Sequence, residues 1–462
     1  MNESPLNPSE PLETSAEALA DAHARALCYV RSIGTRQVAP TEEARRALSA
    51  FDEPFPDDGA APADVVRLLD ERGSPATVAT SGGRYFGYVV GGVLPAALGA
   101  STLAAAWDQV AGLEVMSPVG AKLEAVASNW LVDALRLPTE SGVGFVSGAT
   151  MANLSGLAAA RHALYERAGW DVEAHGLYGA PPIEVVVGGE VHISIKKALG
   201  LLGFGRERVT SVPVDGQGRM RADAFPELTG PAIVCLQAGN VNTGAFDPFE
   251  DIVPQARASD AWIHVDGAFG LWAAACPTRA HLVRGAEDAD SWAVDAHKWL
   301  NVPYDSGLVI VRHPIQLHEA MRQRAAYLAT DRPAEPSEGT PQMSRRARGI
   351  EVWAALRSLG RSGLADLVER CCRYASRFAD GLAAAGHTVL NDVELNQVLV
   401  SFGSDERTGR VIDEIQREGV AWCGGTTWRG RAAMRISVSS WATTDDDVEQ
   451  CLGAMLAAAE RA

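Results

Sequence analysis

Short apolar runs alternate with helical stretches through the middle of this chain, and that alternation constrains its fold more than any other feature. Helical patterns over residues 151–167 and 192–203 follow the first two runs. The runs are Val143–Val146, Ile183–Val187, Ala232–Leu236, Trp262–Val265, Trp292–Val294 and Leu308–Val311. Because parallel strands need helical crossovers between them, the alternation predicts a mostly parallel α/β sheet with helices on both faces.

The rest of the chain divides into a leading and a closing part. We expect a helical arm over residues 1–80, a large α/β domain over 81–344 and a small α+β domain over 345–462. The segment 313–348 contains RPAEPSEGTPQ and is interpreted as one long loop. Strands are expected at Val398–Phe402 and Ala433–Val438, and further helices at 16–34, 62–72, 349–385, 406–418 and 444–460.

The charge balance and the cysteines narrow the class of protein. The chain carries 41 basic and 58 acidic residues, a net charge of −17, which argues against nucleic acid or an anionic membrane as the main partner. No apolar run is long enough to span a bilayer, and the first residues lack a signal-peptide pattern. The seven scattered cysteines are typical of reduced thiols in a cytoplasmic protein, and the ten histidines show no metal-ligand spacing.

Lysine is rare here, and one lysine occupies a distinctive position. Only four lysines are present, Lys122, Lys196, Lys197 and Lys298. Lys298 follows His297 directly after an apolar strand, where ligand sites of α/β sheets gather. A desolvated lysine amine can form a Schiff base. Taken alone, a His-Lys pair is as consistent with an ordinary surface turn.

Three other strand ends carry residues that suit a flat, phosphorylated cofactor. Asp266 ends the strand Trp262–Val265, and a carboxylate there can hold a protonated ring nitrogen. Ser147-Gly148 leads into a helix whose positive end can bind phosphate, and His192 is placed to stack on a ring. Each feature alone is equally well explained as a helix cap. Together with Lys298 they describe one pyridoxal phosphate site.

These motifs resemble the group II pyridoxal-phosphate-dependent decarboxylases, the family of aromatic-L-amino-acid and glutamate decarboxylases. The resemblance runs from about residue 75 to the end and is most specific in two blocks, His264-Val-Asp-Gly-Ala268 and Asp295-Ala-His-Lys-Trp299. It also includes the segments Tyr85–Tyr88, Met116–Pro118, Lys122–Glu124, Ser147–Asn153, Val191-His192, Gly239–Gly244 and Met434-Arg435. The family implies the fold-type I architecture of aspartate aminotransferase, with a small C-terminal α+β domain.

The resemblance also implies a role for each matching residue. Lys298 would bind pyridoxal 5'-phosphate covalently, Asp266 would pair with its ring nitrogen, and His192 and Ala268 would pack on opposite faces of the ring. Ala149 and Thr150 would hold the phosphate, helped by Asp295 and His297, while Asn242 would lie near the cofactor edge. Tyr327, 29 residues after Lys298, matches a catalytic tyrosine of the aromatic class. Tyr88, Val90 and Arg435 would contact the substrate.

Two departures from the family pattern bear on substrate and cofactor. Val89, Val90, Gly91 and Gly92 stand where the aromatic class has bulky pocket residues, which puts an aromatic substrate in doubt. Asp295 offers no hydrogen-bond donor to a phosphate. The reaction we expect is decarboxylation of an L-amino acid by a homodimer with shared active sites, in which Trp107–Glu114 reaches the partner's site. The alternatives are an aminotransferase, a lyase, an oxidative aldehyde-forming enzyme, or an inactive fold member acting as a binding or scaffold protein.

Overall fold

A computed structural model describes residues 11–322 and 334–462, so the expected catalytic Tyr327 lies outside the described residues. The α-helices of the described part are α1 (Pro11–Ser32), α2 (Glu42–Ala47), α3 (Pro62–Gly73), α4 (Pro95–Trp107), α5 (Pro118–Ala134), α6 (Ala149–Arg167), α7 (Val172–His175), α8 (Ile193–Leu201), α9 (Phe249–Arg257), α10 (Pro314–Met321), α11 (Gly349–Ala384), α12 (Asp405–Glu418) and α13 (Asp445–Arg461).

A seven-stranded sheet forms the centre of the molecule. Its strands are β1 (Gly142–Val146), β2 (Glu184–Gly188), β3 (Thr210–Val212), β4 (Ala232–Gln237), β5 (Trp262–Asp266), β6 (Ser291–Asp295) and β7 (Gly307–Val311). They lie in the order β1-β7-β6-β5-β4-β2-β3, and β7 alone runs antiparallel to its two neighbours. The predicted mostly parallel sheet is therefore confirmed, and all six predicted apolar runs are strands within it.

The central strands are apolar along their whole length because helices cover both faces of the sheet. Every residue of β4, β5, β6 and β7 is buried. Helices α6 and α8 pack together on one face, where Val187, Ile233 and Val309 join them in one cluster of buried side chains. This burial fixes the strand ends, and with them the polar residues that follow each strand.

A second, four-stranded antiparallel sheet closes the chain. Its strands are β8 (Thr388–Val389), β9 (Gln397–Ser401), β10 (Gly424–Trp428) and β11 (Arg431–Ser437), in the order β10-β11-β9-β8. Helix α12 packs on this sheet and α13 packs on α12 and α11, as expected for a small α+β unit. The division of the chain at residues 80 and 345 stays a prediction.

The sequence interpretation was wrong in one segment and incomplete in others. Residues 313–348 are not one continuous loop, since α10 occupies Pro314–Met321. Proline at the first turn starts a helix because the first backbone N–H groups need no partner within it. Helices α4 and α9 and strands β3, β8 and β10 were not predicted as elements, whereas the helical stretch expected around Lys122 is α5. Within the residues that the structure describes, no helix is long and apolar enough to cross a membrane.

Candidate active site

A cavity of about 420 Å³ opens at the carboxyl ends of β5 and β6, beside the N-terminus of α6. Its walls come from the strand ends and from the loops that follow them, as expected for a parallel sheet. The lining residues are Ser147, Gly148, Ala149, Thr150, Met151, His192, Ser194, Gln237, Gly239, Val241, Asp266, Ala268, Phe269, Asp295, His297, Lys298 and Tyr304. Eight of the predicted site residues, contributed by four separate chain segments, therefore meet in one cavity.

Lys298 lies in this cavity with its amine held by a carboxylate. Its Nζ lies 3.0 Å from Oδ2 of Asp295, and the two side chains are 19% and 3% exposed. The main chain at Lys298 is also enclosed, because a Cβ atom on Gly91 would overlap the Lys298 carbonyl oxygen. The small residue at position 91 therefore reflects close backbone packing rather than the size of a substrate pocket.

Asp295 joins the lysine to the start of helix α6. Its Oδ1 accepts a hydrogen bond of 2.6 Å from the Ala149 N–H and lies 3.4 Å from Nε2 of His297. A carboxylate at this point is stabilised by the positive end of the helix. The structure thus brings Ala149, Asp295 and His297 together. In this arrangement Asp295 already occupies the Ala149 N–H that was expected to donate to a phosphate.

Glycines allow the start of α6 to approach the strands closely. A Cβ on Gly307 would overlap the backbone of Gly148, and a Cβ on Gly148 would lie 3.0 Å from Cε1 of His297. Larger residues would push the helix away from Asp295 and His297. The short, small-residue turn Ser147-Gly148 is therefore required by packing, and it leaves Thr150 exposed in the cavity wall.

His297 has a fixed ring orientation and a defined tautomer. Its ring stacks on Tyr304 with centroids 4.2 Å apart, and the Ser306 N–H donates to its Nδ1 over 3.2 Å. Because Nδ1 accepts, the proton of the neutral ring is on Nε2, which faces Asp295. Burial lowers the pKa of His297, so the neutral form is favoured at pH 7.

Asp266 lies at the end of β5 and is only 6% exposed. Its carboxylate accepts hydrogen bonds from the Ala268 N–H at 3.2 Å, from Asn153 Nδ2 at 3.1 Å and from Ser194 Oγ at 3.4 Å. Ser194 Oγ also lies 2.7 Å from Nδ1 of His192. Burial lowers the pKa of His192, which favours an uncharged ring suited to stacking.

Four predicted residues lie outside the cavity wall. Arg435 donates from Nη1 to the Val241 carbonyl oxygen at 3.0 Å, so it reaches the rim behind a lining residue. Asn242 instead accepts from Thr426 of the small domain at 3.0 Å. Tyr88 and Val90 lie shortly before Gly91 in the sequence and do not line the cavity, and Tyr88 is 66% exposed.

An aromatic cluster, formed by Tyr85, Tyr88 and Trp422, was missed by the sequence interpretation. The ring of Trp422 lies 5.0 Å from that of Tyr85 and 5.5 Å from that of Tyr88, both stacked. Burial, together with neighbouring Tyr88 and Tyr304, raises the pKa of Tyr85 to about 12. No sequence signal links Trp422 to the two tyrosines, because packing of the small domain creates the contact.

Tyr304 was also missed, although it stands six residues after Lys298 in the most distinctive segment of the chain. It lines the cavity and stacks on His297. Burial and the nearby Asp295 carboxylate raise the pKa of Tyr304 to about 12, so its hydroxyl is protonated at neutral pH. Its position within the Lys298 segment was the signal that could have identified it.

The donor set of the cavity fits pyridoxal phosphate. It combines one amine, a buried carboxylate, an uncharged imidazole and a helix N-terminus approached through glycine. These are the groups needed for covalent attachment, for a ring nitrogen, for a ring face and for a phosphate. Within the described residues no group of three His, Cys, Asp or Glu side chains could hold a metal ion.

Comparisons with known proteins agree with this chemistry. A sequence model of the family described as the pyridoxal-dependent decarboxylase conserved domain matches residues 78–404. The aromatic-L-amino-acid decarboxylase of Bacillus atrophaeus is 24% identical, with 98% of each chain covered. The L-2,4-diaminobutyrate decarboxylase of Rhizobium meliloti is 27% identical over 78% of this chain and 74% of that protein.

Solved structures share the fold over the whole chain. Oryza sativa TDC, crystallised with PLP and tryptamine, superposes with a TM-score of 0.88 at 22% identity, covering 100% of this chain and 99% of that one. Mouse CSAD has the same TM-score at 20% identity, covering 97% and 99%.

Proposed function

This chain belongs to the pyridoxal-dependent decarboxylase family, and from that premise we propose how its own residues carry the reaction. It is a fold-type I, pyridoxal phosphate-dependent carboxy-lyase that converts an L-amino acid to the amine and carbon dioxide. The observation that supports the residue assignment best is the convergence of Lys298, Asp266 and His192 on one cavity.

Lys298 is the residue that binds the cofactor covalently in this proposal. When bound, pyridoxal phosphate holds amines covalently and serves as the sink for the electron pair that departing carbon dioxide leaves behind. Asp266 pairs with the ring nitrogen, and His192 and Ala268 pack against the ring. Asn242 is assigned to the cofactor edge indirectly, because its neighbour Val241 lines the cavity and Asn242 itself does not.

The phosphate is assigned to the N-terminus of α6, at Thr150 and beside Ala149, whose own N–H already donates to Asp295. Backbone N–H groups and the helix dipole favour an anion there. Asp295 carries a negative charge at the same place, so we assign it to orienting Lys298 and His297 rather than to contacting the phosphate. His297 contributes Nε2–H, the donor that its tautomer leaves pointing into this region.

A proton must reach the α-carbon after carbon dioxide leaves, and we assign that step to Tyr327. The assignment depends on the spacing from Lys298, because Tyr327 lies outside the described residues. A phenol is protonated at neutral pH and can act as a general acid. Tyr304 is the second candidate, since its hydroxyl lies in the cavity and is held protonated.

Arg435 is assigned to a carboxylate of the substrate. It is largely buried, and no carboxylate of the described residues lies within ion-pair distance of it. Burial lowers the pKa of Arg435, while Tyr88 and Tyr85 oppose that shift. A buried guanidinium without a charged partner is costly, and an anionic ligand group would offset that cost. Tyr88 and Val90 complete the assigned substrate contacts.

The aromatic cluster bears on the substrate's side chain. Relatives of this chain are named for aromatic amino acids and for diaminobutyrate, so the family name leaves the side chain open. Because Gly91 and Gly92 are both explained by close packing, these two glycines no longer argue against an aromatic substrate. Stacked Tyr85, Tyr88 and Trp422 favour a flat or apolar side chain.

The reaction is tested with purified enzyme against a panel of L-amino acids, measuring carbon dioxide, amine and aldehyde separately. Decarboxylation predicts equal amounts of amine and carbon dioxide without a keto acid. Dependence on a keto acid would indicate an aminotransferase, and aldehyde in place of amine would indicate the oxidative alternative. No product from any substrate, with no absorbance from bound cofactor, would favour the binding or scaffold alternative.

A homodimer with shared active sites is part of the proposal. Leu12 and Leu19 of α1 are 84% and 50% exposed, and Trp107 and Val115 are 44% and 83% exposed. These apolar side chains on the arm, at Trp107 and directly after the Trp107–Glu114 segment support burial against a second copy. Sedimentation is expected to show a dimer, and a fully active monomer would contradict it.

The cytoplasm is the proposed location. All seven cysteines are free, six of them buried, which suits a reducing compartment. Cell fractionation with a tagged chain tests this assignment, and recovery in a secreted fraction would overturn it.

A further inference from the structure

A series of buried, hydrogen-bonded polar side chains leads away from Asp266 through Asn153. It consists of Trp262, Ser291, His264 and Asn153, which are 3%, 0%, 0% and 0% exposed. The side chains of Trp262, Ser291 and His264 take no part in the cavity wall. Buried polar groups are costly unless every one finds a partner, so such a chain calls for a reason.

The hydrogen bonds of this series run in one direction, which its Asp266 end sets and its Trp262 end permits, because a serine oxygen can accept two hydrogen bonds and still donate its own proton. Trp262 Nε1 is a donor only, and it donates to Ser291 Oγ at 2.9 Å. Ser291 then donates its own hydroxyl proton to Nδ1 of His264 at 2.8 Å. His264 therefore carries its proton on Nε2, which donates to Asn153 Oδ1 at 2.9 Å.

The Asp266 end sets this direction. Asp266 can only accept, so the group of Asn153 that faces it, 3.1 Å away, is the NH2 group. The amide oxygen of Asn153 is thereby left for His264. A flipped amide would place two oxygens against each other at Asp266 and an NH2 group against the His264 N–H. The Asp266 end thus fixes one amide orientation, and the hydrogen bonds of Trp262, Ser291 and His264 agree with it.

Asn153 also connects the two residues that flank the cofactor position. Its NH2 group donates to Ser194 Oγ at 3.0 Å as well as to Asp266. Ser194 contacts His192 Nδ1 through its hydroxyl at 2.7 Å and through its backbone N–H at 3.3 Å. The side-chain amide of Asn153 therefore holds the Asp266 carboxylate directly, and it holds the His192 ring through the Ser194 hydroxyl.

The surroundings of His264 leave it no room to move. A Cβ on Gly156 would lie 2.8 Å from Cε1 of His264, so helix α6 closes directly over the ring. Burial also lowers the pKa of His264 to about 4, so the ring remains neutral at neutral pH. A neutral ring can accept from Ser291 and donate to Asn153, as the chain requires.

We propose that Asn153 is a positioning residue that fixes the Asp266 carboxylate toward the cofactor ring nitrogen, and that Trp262, Ser291 and His264 hold its amide in the one orientation that can do so. The inference rests on the proposed role of Asp266. It adds residues that never touch the cofactor but set how firmly its ring nitrogen stays protonated, and with it how well the ring draws in electrons.

The test measures the nitrogen-15 chemical shift of the ring nitrogen in enzyme loaded with pyridoxal phosphate labelled at that atom. The variants are Asp266→Asn, Asn153→Ala, His264→Leu and His264→Gln. The matched control is Ser155→Ala, which removes a fully buried hydroxyl of the same helix that bonds only to the Met151 carbonyl. Steady-state kinetics of each variant are recorded alongside.

We expect Asp266→Asn to move the signal furthest toward that of an unprotonated ring, and Asn153→Ala to move it in the same direction. The kcat of Asn153→Ala should fall about 10- to 100-fold with little change in KM, as for loss of a hydrogen bond to a charged group. His264→Leu should resemble Asn153→Ala. His264→Gln, whose amide can donate to Asn153, should restore much of the wild-type shift.

Different outcomes identify different failures. If Asp266→Asn leaves the signal unchanged, the proposed role of Asp266 is wrong. If Asp266→Asn moves it but Asn153→Ala and His264→Leu do not, Asp266 stands and the positioning chain is overturned. An equal effect of Ser155→Ala and Asn153→Ala, or of His264→Gln and His264→Leu, would also overturn it, since packing alone would then explain the change.

Discussion

The two sides of the candidate site are built differently. The cofactor side, formed by Lys298, Asp295, Asp266 and the residues that hold them, is buried, and its carboxylates each accept at least one hydrogen bond. The proposed substrate side, assigned to the aromatic cluster and Arg435, rests on ring stacking and on one hydrogen bond to the Val241 carbonyl.

This contrast shows which part of the chemistry is fixed by the fold. Dense hydrogen bonding among buried charges allows only one geometry, which suits a cofactor that never changes. Stacked rings tolerate many partners of similar shape. The proposed substrate side also joins Arg435 of β11 to Val241 in the loop after β4, so we expect small shifts between the two sheets to alter it more than they alter Lys298. We therefore expect changes on the cofactor side to abolish the reaction and changes on the substrate side to alter selectivity.

The largest effect is expected for Lys298→Ala. Loss of the only amine in the cavity should lower the rate of carbon dioxide release by about 10⁴-fold or more, and no cofactor should be fixed by borohydride. Lys197→Ala is the matched control, because Lys197 is an exposed lysine of α8. If Lys298→Ala kept a rate within about 10-fold of wild type, the reaction would not depend on Lys298, and the expectation for the cofactor side would be wrong.

The next largest effect is expected for Tyr327→Phe, and it distinguishes Tyr327 from Tyr304 as the general acid. Tyr327→Phe should keep cofactor binding but lower amine formation by about 10²-fold or more, with aldehyde as a by-product, because a general acid is lost. Tyr304→Phe keeps the ring that stacks on His297 and should retain most activity. Product analysis by chromatography decides between them. The reverse result would make Tyr304 the acid and remove Tyr327 from the mechanism.

Arg435→Gln should act mainly on binding. Loss of a charge-assisted contact to a substrate carboxylate should raise KM about 10- to 100-fold, with a smaller effect on kcat. Arg431→Gln, four residues earlier on the same strand and exposed, is the control. Wild-type kinetics in Arg435→Gln would show that this arginine serves only the main chain at Val241.

The smallest effect is expected for substitution of Trp422, which tests the proposed substrate side. Trp422→Leu removes the ring on which Tyr85 and Tyr88 stack and should change kcat/KM by about 3- to 10-fold, unequally among amino acids. Trp422→Phe keeps a stacking ring and should lie nearer wild type. A uniform loss over the whole amino-acid panel would instead indicate damage to the cofactor side.

The same contrast explains what could be predicted from the sequence. Lys298 and Asp266 were identifiable because Asp266 ends an apolar strand and Lys298 closely follows another, and the carboxyl ends of parallel strands share one edge of the sheet. The role of Asn153 was not, because its partners Asp266 and His264 are more than 100 residues away and meet it only after folding. Trp422 and Asn242 depend on how the small domain packs, which no local pattern encodes.

The position of Lys298 can be tested most directly by borohydride reduction of the wild-type enzyme loaded with pyridoxal phosphate, followed by peptide mapping. With four lysines in the chain, every outcome is distinct. The account predicts a single reduced pyridoxyl group on Lys298, in the peptide that contains His297 and Trp299. A label on Lys122, Lys196 or Lys197, with Lys298 unmodified, would contradict the site described above.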